Sequence, residues 1–155
     1  MPYPDLDAID RRILAELQRD GRMTNQDLSE RVGLSPSPCL RRLRQLEAEG
    51  VIARYVALID PVMVGLPVTA FIRVRLHQQD DHHLARFEAA VAGFAEVMEC
   101  YLMTGDSDYL LRVVVPDLEA YERFVMDFTK IVGIAQIRIS FALRAVKQGT
   151  ALPVR

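Results

Sequence analysis

Only two cysteines, Cys39 and Cys100, occur among the 155 residues. They fall in different segments with no Cys/His spacing of the kind zinc needs, which excludes a disulfide framework and a zinc site. No apolar run is long enough to span a bilayer and no cleavable leader opens the chain, so the expectation is a cytoplasmic protein with reduced thiols and no membrane partner. A positive balance is also missing: 19 Lys and Arg stand against 21 Asp and Glu, for a formal net charge of −2, with a pI near 5.9. A chain so balanced is no general binder of polyanions. Any nucleic-acid contact must come from a local basic surface, and tight binding is expected to need several reading heads acting together. There is no nucleophile–base pair, metal cluster or phosphate-binding glycine loop, which argues against an enzyme. His77, His82 and His83 flank a predicted helix start and read as exposed side chains rather than metal ligands.

What is present begins with residues 24–51, TNQDLSERVGLSPSPCLRRLRQLEAEGV. Thr24 is placed to cap a helix over Asn25 to Val32, with Asp27 in its first turn to complement the dipole. Gly33 supplies the permissive backbone of a helix exit. Ser35 then caps a second helix with Pro36 at its first position, where the missing N–H costs nothing, and Gly50 follows its end. At about 100° per residue, Leu40, Leu43 and Leu46 share one stripe that should pack inward. The opposite face is centred on Arg41, with Ser37 and Gln45 a turn either side and Arg44 and Arg42 on its flanks. No acid lies between Ser35 and Leu46, so this helix presents guanidinium, amide and hydroxyl groups suited to phosphates and base edges in a major groove. Cys39 reads as a small packing residue. A solvated charged helix is the plain alternative, but the turn chemistry, the helix lengths and the acid-free face coincide as a helix-turn-helix requires.

Upstream, Met1 to Pro4 read as a disordered start. Leu6, Ile9, Ile13, Leu14 and Leu17 keep helical spacing, with Asp7 as cap and Gly21 beyond the end. Three helices sharing a core make a plain or winged helix-turn-helix domain over residues 1–50. The run Val51 to Ile59, closed by Asp60-Pro61, reads as a strand or short hairpin in a β linker over 51–67.

From Val68 the spacing changes to period two: Val68, Ala70, Ile72, Val74 and Leu76 alternate with Thr69, Phe71, Arg73 and Arg75, as in a half-buried strand. A helix over Asp81 to Val91 follows, then a strand Glu96 to Met103, a turn Gly105 to Asp108, and a strand Tyr109 to Val115. A second helix begins at Pro116-Asp117 and breaks at Val132-Gly133; the last strand is Ala135 to Arg144. The order βαββαβ predicts an α+β, ferredoxin-like domain over 68–155, with an antiparallel sheet carrying both helices on one face. The other face would expose Phe71 or Phe141, and face-to-face pairing with a second subunit is the expected remedy.

The segments LDAIDRRILAELQRDGR, LSERVGLSPSPCLRRLRQLEAEGVI and YLMTGDSDYLL, in that order, resemble the Lrp/AsnC family of bacterial and archaeal transcription regulators, from about Leu6 to Lys147. The resemblance implies an N-terminal DNA-binding domain and a C-terminal amino-acid-sensing domain. It also implies homo-oligomers: dimers that assemble into tetramers, octamers or larger discs and bind amino acids where dimers meet. It implies no cofactor. Double-stranded DNA would be contacted through Ser35, Ser37, Arg41, Arg42, Arg44 and Gln45. The family's effector loop matches Thr104, Gly105, Asp106 and Asp108, with Tyr101, Ile134 and Gln136 as further lining positions. Many members carry an aromatic residue where this chain has Ser107, which widens the range of effectors beyond leucine and methionine, the first candidates. On residue chemistry alone, Gly105 to Asp108 is equally a hairpin turn, and two carboxylates there make a poor divalent-cation site. Two other readings of the whole chain stay open: an amino-acid-binding module whose N-terminal helices serve only assembly, and an architectural protein that wraps DNA.

Overall fold

The computed structural model describes residues 3–154; Met1, Pro2 and Arg155, and with them half of the expected disordered start, lie outside the described residues. The chain divides into two units, one of residues 1–58 with 146–155, the other of residues 59–145.

The first unit contains helices α1 (Ala8–Arg19), α2 (Asn25–Val32) and α3 (Pro36–Ala48). Helix α1 starts at a reciprocal cap: the Asp7 carboxylate accepts from the Ile9 and Asp10 amides, and the Asp10 side chain accepts from the Asp7 amide. This satisfies donors that a helix start otherwise leaves orphaned. Thr24 caps α2 through the Asp27 amide, as its position predicts. Ile13, Leu14, Leu28, Val32, Cys39 and Leu46 form the core, with Leu6, Ile9, Leu17 and Leu43 against it. Each helix alone is too short to hold its shape in water, so this shared burial is what fixes them. The turn between α2 and α3 needs Gly33, whose φ of 75° is left-handed. Gly33→Ala should cost about 1 to 2 kcal/mol, read as a lower midpoint in urea unfolding.

Residues 53–60 have no strand, nor do the turns that follow them to residue 65. The strand or hairpin expected over Val51 to Ile59 is therefore absent: the segment is β-prone in composition, but no neighbouring strand in the described residues supplies a hydrogen-bonding partner. The C-terminal boundary also differs from the expectation of one domain to residue 155. The Gln18 side-chain amide donates to the Leu152 carbonyl at 3.1 Å and its carbonyl accepts from the Leu152 amide. Val154 packs on the helical core.

The second unit contains β1 (Val68–Leu76), α4 (Asp81–Val91), β2 (Val97–Leu102), β3 (Tyr109–Val115), α5 (Leu118–Phe128) and β4 (Ile134–Phe141). The sheet is antiparallel with order β2-β3-β1-β4, the βαββαβ arrangement expected. Asp80 and Asp117 cap the two helices. Phe87 and Val91 of α4, and Phe124 and Phe128 of α5, close over Ile72, Val74, Leu111 and Val113, so both helices cover one face. Phe141 lies on that covered face, its ring 4.8 Å from Tyr121 and edge-on to it. This corrects the expectation that Phe141 lies on the bare side: it pairs with Ala70, which is buried, and cross-strand partners point the same way. Phe71 does lie on the bare face.

Candidate functional site

Two places carry chemistry, one in each unit. On α3 the buried stripe is centred on Cys39, with Leu43 and Leu46 beside it and Leu40 half-buried at the margin. Burial raises the Cys39 thiol pKa, which suits a packing role. With Cys39 at the centre, Arg42 stands only about 60° from the middle of the inward face. Its guanidinium reaches α1, where one nitrogen donates to Asp7 at 2.7 Å and to Asp10 at 2.9 Å. Arg42 thus ties α3 to α1. A DNA contact from this guanidinium would compete with those charge-assisted bonds, which sets Arg42 apart from Arg41 and Arg44. The Asp10 amide, above all, and then Arg42 hold the Asp7 carboxyl below its ordinary 3.8. The Asp7 leg of the tie is accordingly complete at neutral pH and is lost as pH falls through that depressed value.

Ser37, Arg41, Arg44 and Gln45 are exposed on the far side. Arg41 and Arg44 form no ion pair among the described residues; Gln45 donates to Glu49 at 2.8 Å. Ser35 holds the N-cap position of α3 but makes no cap hydrogen bond. The reason is local: Pro36 and Pro38 occupy two of the first three helical positions, and neither has an N–H to offer. Its hydroxyl is not spent on the helix it precedes. Asn25 fixes the α2–α3 turn by donating to the Pro36 carbonyl at 2.9 Å.

The second place is the end of the sheet where β2 turns into β3. Gly105 takes a φ of 104°, and Thr104, Gly105 and Asp106 are exposed. Asp108 is committed. Its amide donates to the Val74 carbonyl at 2.9 Å, and its carboxylate accepts from the Leu76 amide at 2.7 Å. Gln79 donates to the Leu76 carbonyl at 2.9 Å and reaches the same carboxylate at 3.4 Å. Asp108 therefore fastens the hairpin to the end of β1, leaving Asp106 as the carboxylate free to meet a ligand.

The expected lining residues divide. Gln136 borders a recess of about 520 Å³ with Arg75, Leu76, His77, Gln79 and Ala135, next to the Asp108 seam. Ile134 is half-buried and packs against the sheet–helix core. Tyr101 is exposed on β2, at the sheet edge opposite β4. Two strands intervene, so roughly 14 Å separates the two strand backbones, and a single chain does not gather Tyr101 and Gln136 into one pocket. Arg75, His77 and Gln79 are the residues sequence reasoning missed. Arg75 was visible as a polar position in an alternating strand, but its nearness to Gln136 depends on the β1–β4 register, which pairs the two.

Comparison with known proteins places both regions. A model of the Lrp/AsnC ligand binding domain matches residues 69–152, and one of a winged helix-turn-helix DNA-binding domain matches residues 6–53. The chain is 41% identical over 155 residues to the leucine-responsive regulatory proteins of Salmonella typhimurium and Escherichia coli K12, covering 99% of itself and 94% of each. Among solved structures, a transcriptional regulator of Neisseria meningitidis in complex with L-Met is 45% identical with a TM-score of 0.92, covering 96% of this chain and 97% of that one. An AsnC family regulator of Agrobacterium tumefaciens is 44% identical with a TM-score of 0.91 and the same coverage. A feast or famine regulatory protein of M. tuberculosis, complexed with L-methionine, is 33% identical with a TM-score of 0.82, covering 94% of this chain and 97% of that one. The chain belongs to the Lrp/AsnC family of DNA-binding transcriptional regulators.

Proposed function

We propose that this regulator reads double-stranded DNA through Ser35, Ser37, Arg41, Arg44 and Gln45, as a homo-oligomer whose assembly or DNA binding responds to a small amino acid held near Thr104, Gly105 and Asp106. The observation that carries it is the division of labour on α3: Arg42 is consumed by Asp7 and Asp10, while Arg41 and Arg44 face solvent uncompensated. Tying the middle arginine to α1 while its neighbours stay outward leaves α3 with the free guanidinium groups that a groove-reading helix uses. The effector reading draws on the L-methionine complexes of the two relatives and on the open space around Gly105, which has nothing within 4 Å of a hypothetical Cβ. Exposed Phe71 on the bare sheet face, with Met98, Tyr101 and Leu102 along the β2 edge, supports self-association. No cluster of three metal-binding side chains occurs among the described residues. No helix there is long and apolar enough to cross a membrane.

Fluorescence anisotropy on selected duplex DNA at rising salt tests the reading. Affinity should fall steeply, with a log–log slope of about −0.9 per phosphate neutralised. Absence of DNA binding at low salt would reduce the N-terminal helices to assembly elements, and equal affinity for all sequences would point to wrapping.

A further inference from the structure

The chain enters the helical unit twice: residues 1–58 build it, and residues 146–155 come back to it after the sheet unit is complete. The outgoing arm is held by Val51 and Ile52, which pack on the helical core, and by Tyr55, whose hydroxyl donates to Glu47 of α3 at 2.9 Å. The returning arm carries neither helix nor strand from residue 142 to 154, yet its end is seated. Gln18 of α1 presents its side-chain amide to the backbone of Leu152, donating to the carbonyl at 3.1 Å and accepting from the amide. One side chain thereby supplies the paired bonds that a neighbouring strand would give. Two residues on, Val154 is half-buried against the same core as Val51 and Ile52, whereas the Leu152 side chain is 73% exposed. Main-chain bonds at one residue with an apolar seat for an alternate one is how extended peptides are held on a surface.

A chain end stays disordered unless it is tied down, and ordering it costs backbone entropy that the seat must offset. The return to the helical unit also changes the mechanics. A body joined to its neighbour through one segment can turn about that segment as about a hinge; joined through two, it is restrained. We propose that residues 146–154 form a strap that fixes the angle of the DNA-reading helical unit, so that a homodimer engages only half-sites of one spacing. The inference rests on the DNA-reading proposal above and deepens it: α3 supplies base preference and the strap supplies spacing preference. Spacing is read because two recognition helices must meet their half-sites together, and the gain from double engagement vanishes where geometry forbids it. Gln18 is a positioning residue, acting on DNA only through the strap.

Anisotropy titrations test this with half-sites taken from selected duplex DNA, presented singly or as pairs whose spacing is stepped by one base pair. The full chain is compared with a chain ending at Lys147 and with Gln18→Ala. Alanine suits a helix at least as well as glutamine, so Gln18→Ala carries the test if the shortened chain fails to fold. Moving paired half-sites apart by half a helical turn, about five base pairs, should weaken binding of the full chain on the order of 100-fold. The same step should weaken either variant by less than about 10-fold, with affinity for the single half-site within about twofold of the full chain. Spacing profiles of the variants that superimpose on that of the full chain overturn the strap and leave DNA reading standing. An equal loss on single and paired half-sites overturns it too, since the tail then only stabilises the head. Absence of binding to any duplex by the full chain removes both readings. Amide exchange gives a readout independent of DNA: the Leu152 N–H should exchange slowly in the full chain and at the rate of an unfolded chain in Gln18→Ala. Unprotected exchange at Leu152 in the full chain would mean that the tail is not seated, and the strap would fall.

Discussion

Arg41→Ala should weaken binding to selected duplex DNA by about 1 to 3 kcal/mol and relax base preference at a single position of each half-site. Arg41 is central on the outward face of α3 and forms no ion pair among the described residues, so its removal breaks no salt bridge there. Arg42→Ala supplies the contrast. That substitution strands Asp7 and Asp10 without their cation, so it should lower the melting temperature of the helical unit while leaving base preference unaltered. Anisotropy with a randomised duplex, beside thermal melting, separates the two. Equal affinity of Arg41→Ala and wild type for the selected site would take Arg41 off the DNA surface.

Phe87→Ala should destabilise the sheet unit by about 3 to 5 kcal/mol, enough to bring its unfolding close to ambient conditions. Phe87 is 1% exposed. Its ring lies 4.5 Å from that of Tyr109 and 6.2 Å, edge-on, from that of Phe128, so its removal opens a hole that no neighbour can fill without moving β3 or α5. Tyr109 would lose a ring contact while its phenol still donates to Glu88 at 2.7 Å. That restraint keeps the hole from closing. Urea unfolding followed by far-ultraviolet circular dichroism measures the loss, and a change below about 1 kcal/mol would mean that the core is able to collapse around the gap.

Helices and strands whose signal is local were legible in the sequence. α2 and α4 have the bounds their caps predict, because Thr24, Gly33 and the acidic start before His82 act within one turn. The period-two run of β1 likewise places Ala70, Ile72 and Val74 inward with no knowledge of neighbours. What failed depends on partners distant in sequence. Val51 to Ile59 has strand composition but no strand to pair with among the described residues. Arg42 reads as one more outward arginine until α1 brings two carboxylates beneath it, although treating Cys39 as the centre of the buried stripe would have moved Arg42 inward. Phe141 reads as a bare-face residue because β4 has exposed residues on both faces, which blurs its alternation. The Arg75 recess needs the β1–β4 register, which no stretch of sequence contains.

The return of residues 146–154 to the helical unit has an outcome for any protease that nicks the connecting segment. Of the two fragments, the larger keeps a segment seated on Gln18 and on the core around Ile13. The pieces should therefore co-migrate through a sizing column as a non-covalent complex, and part only when the terminal residues are also trimmed away.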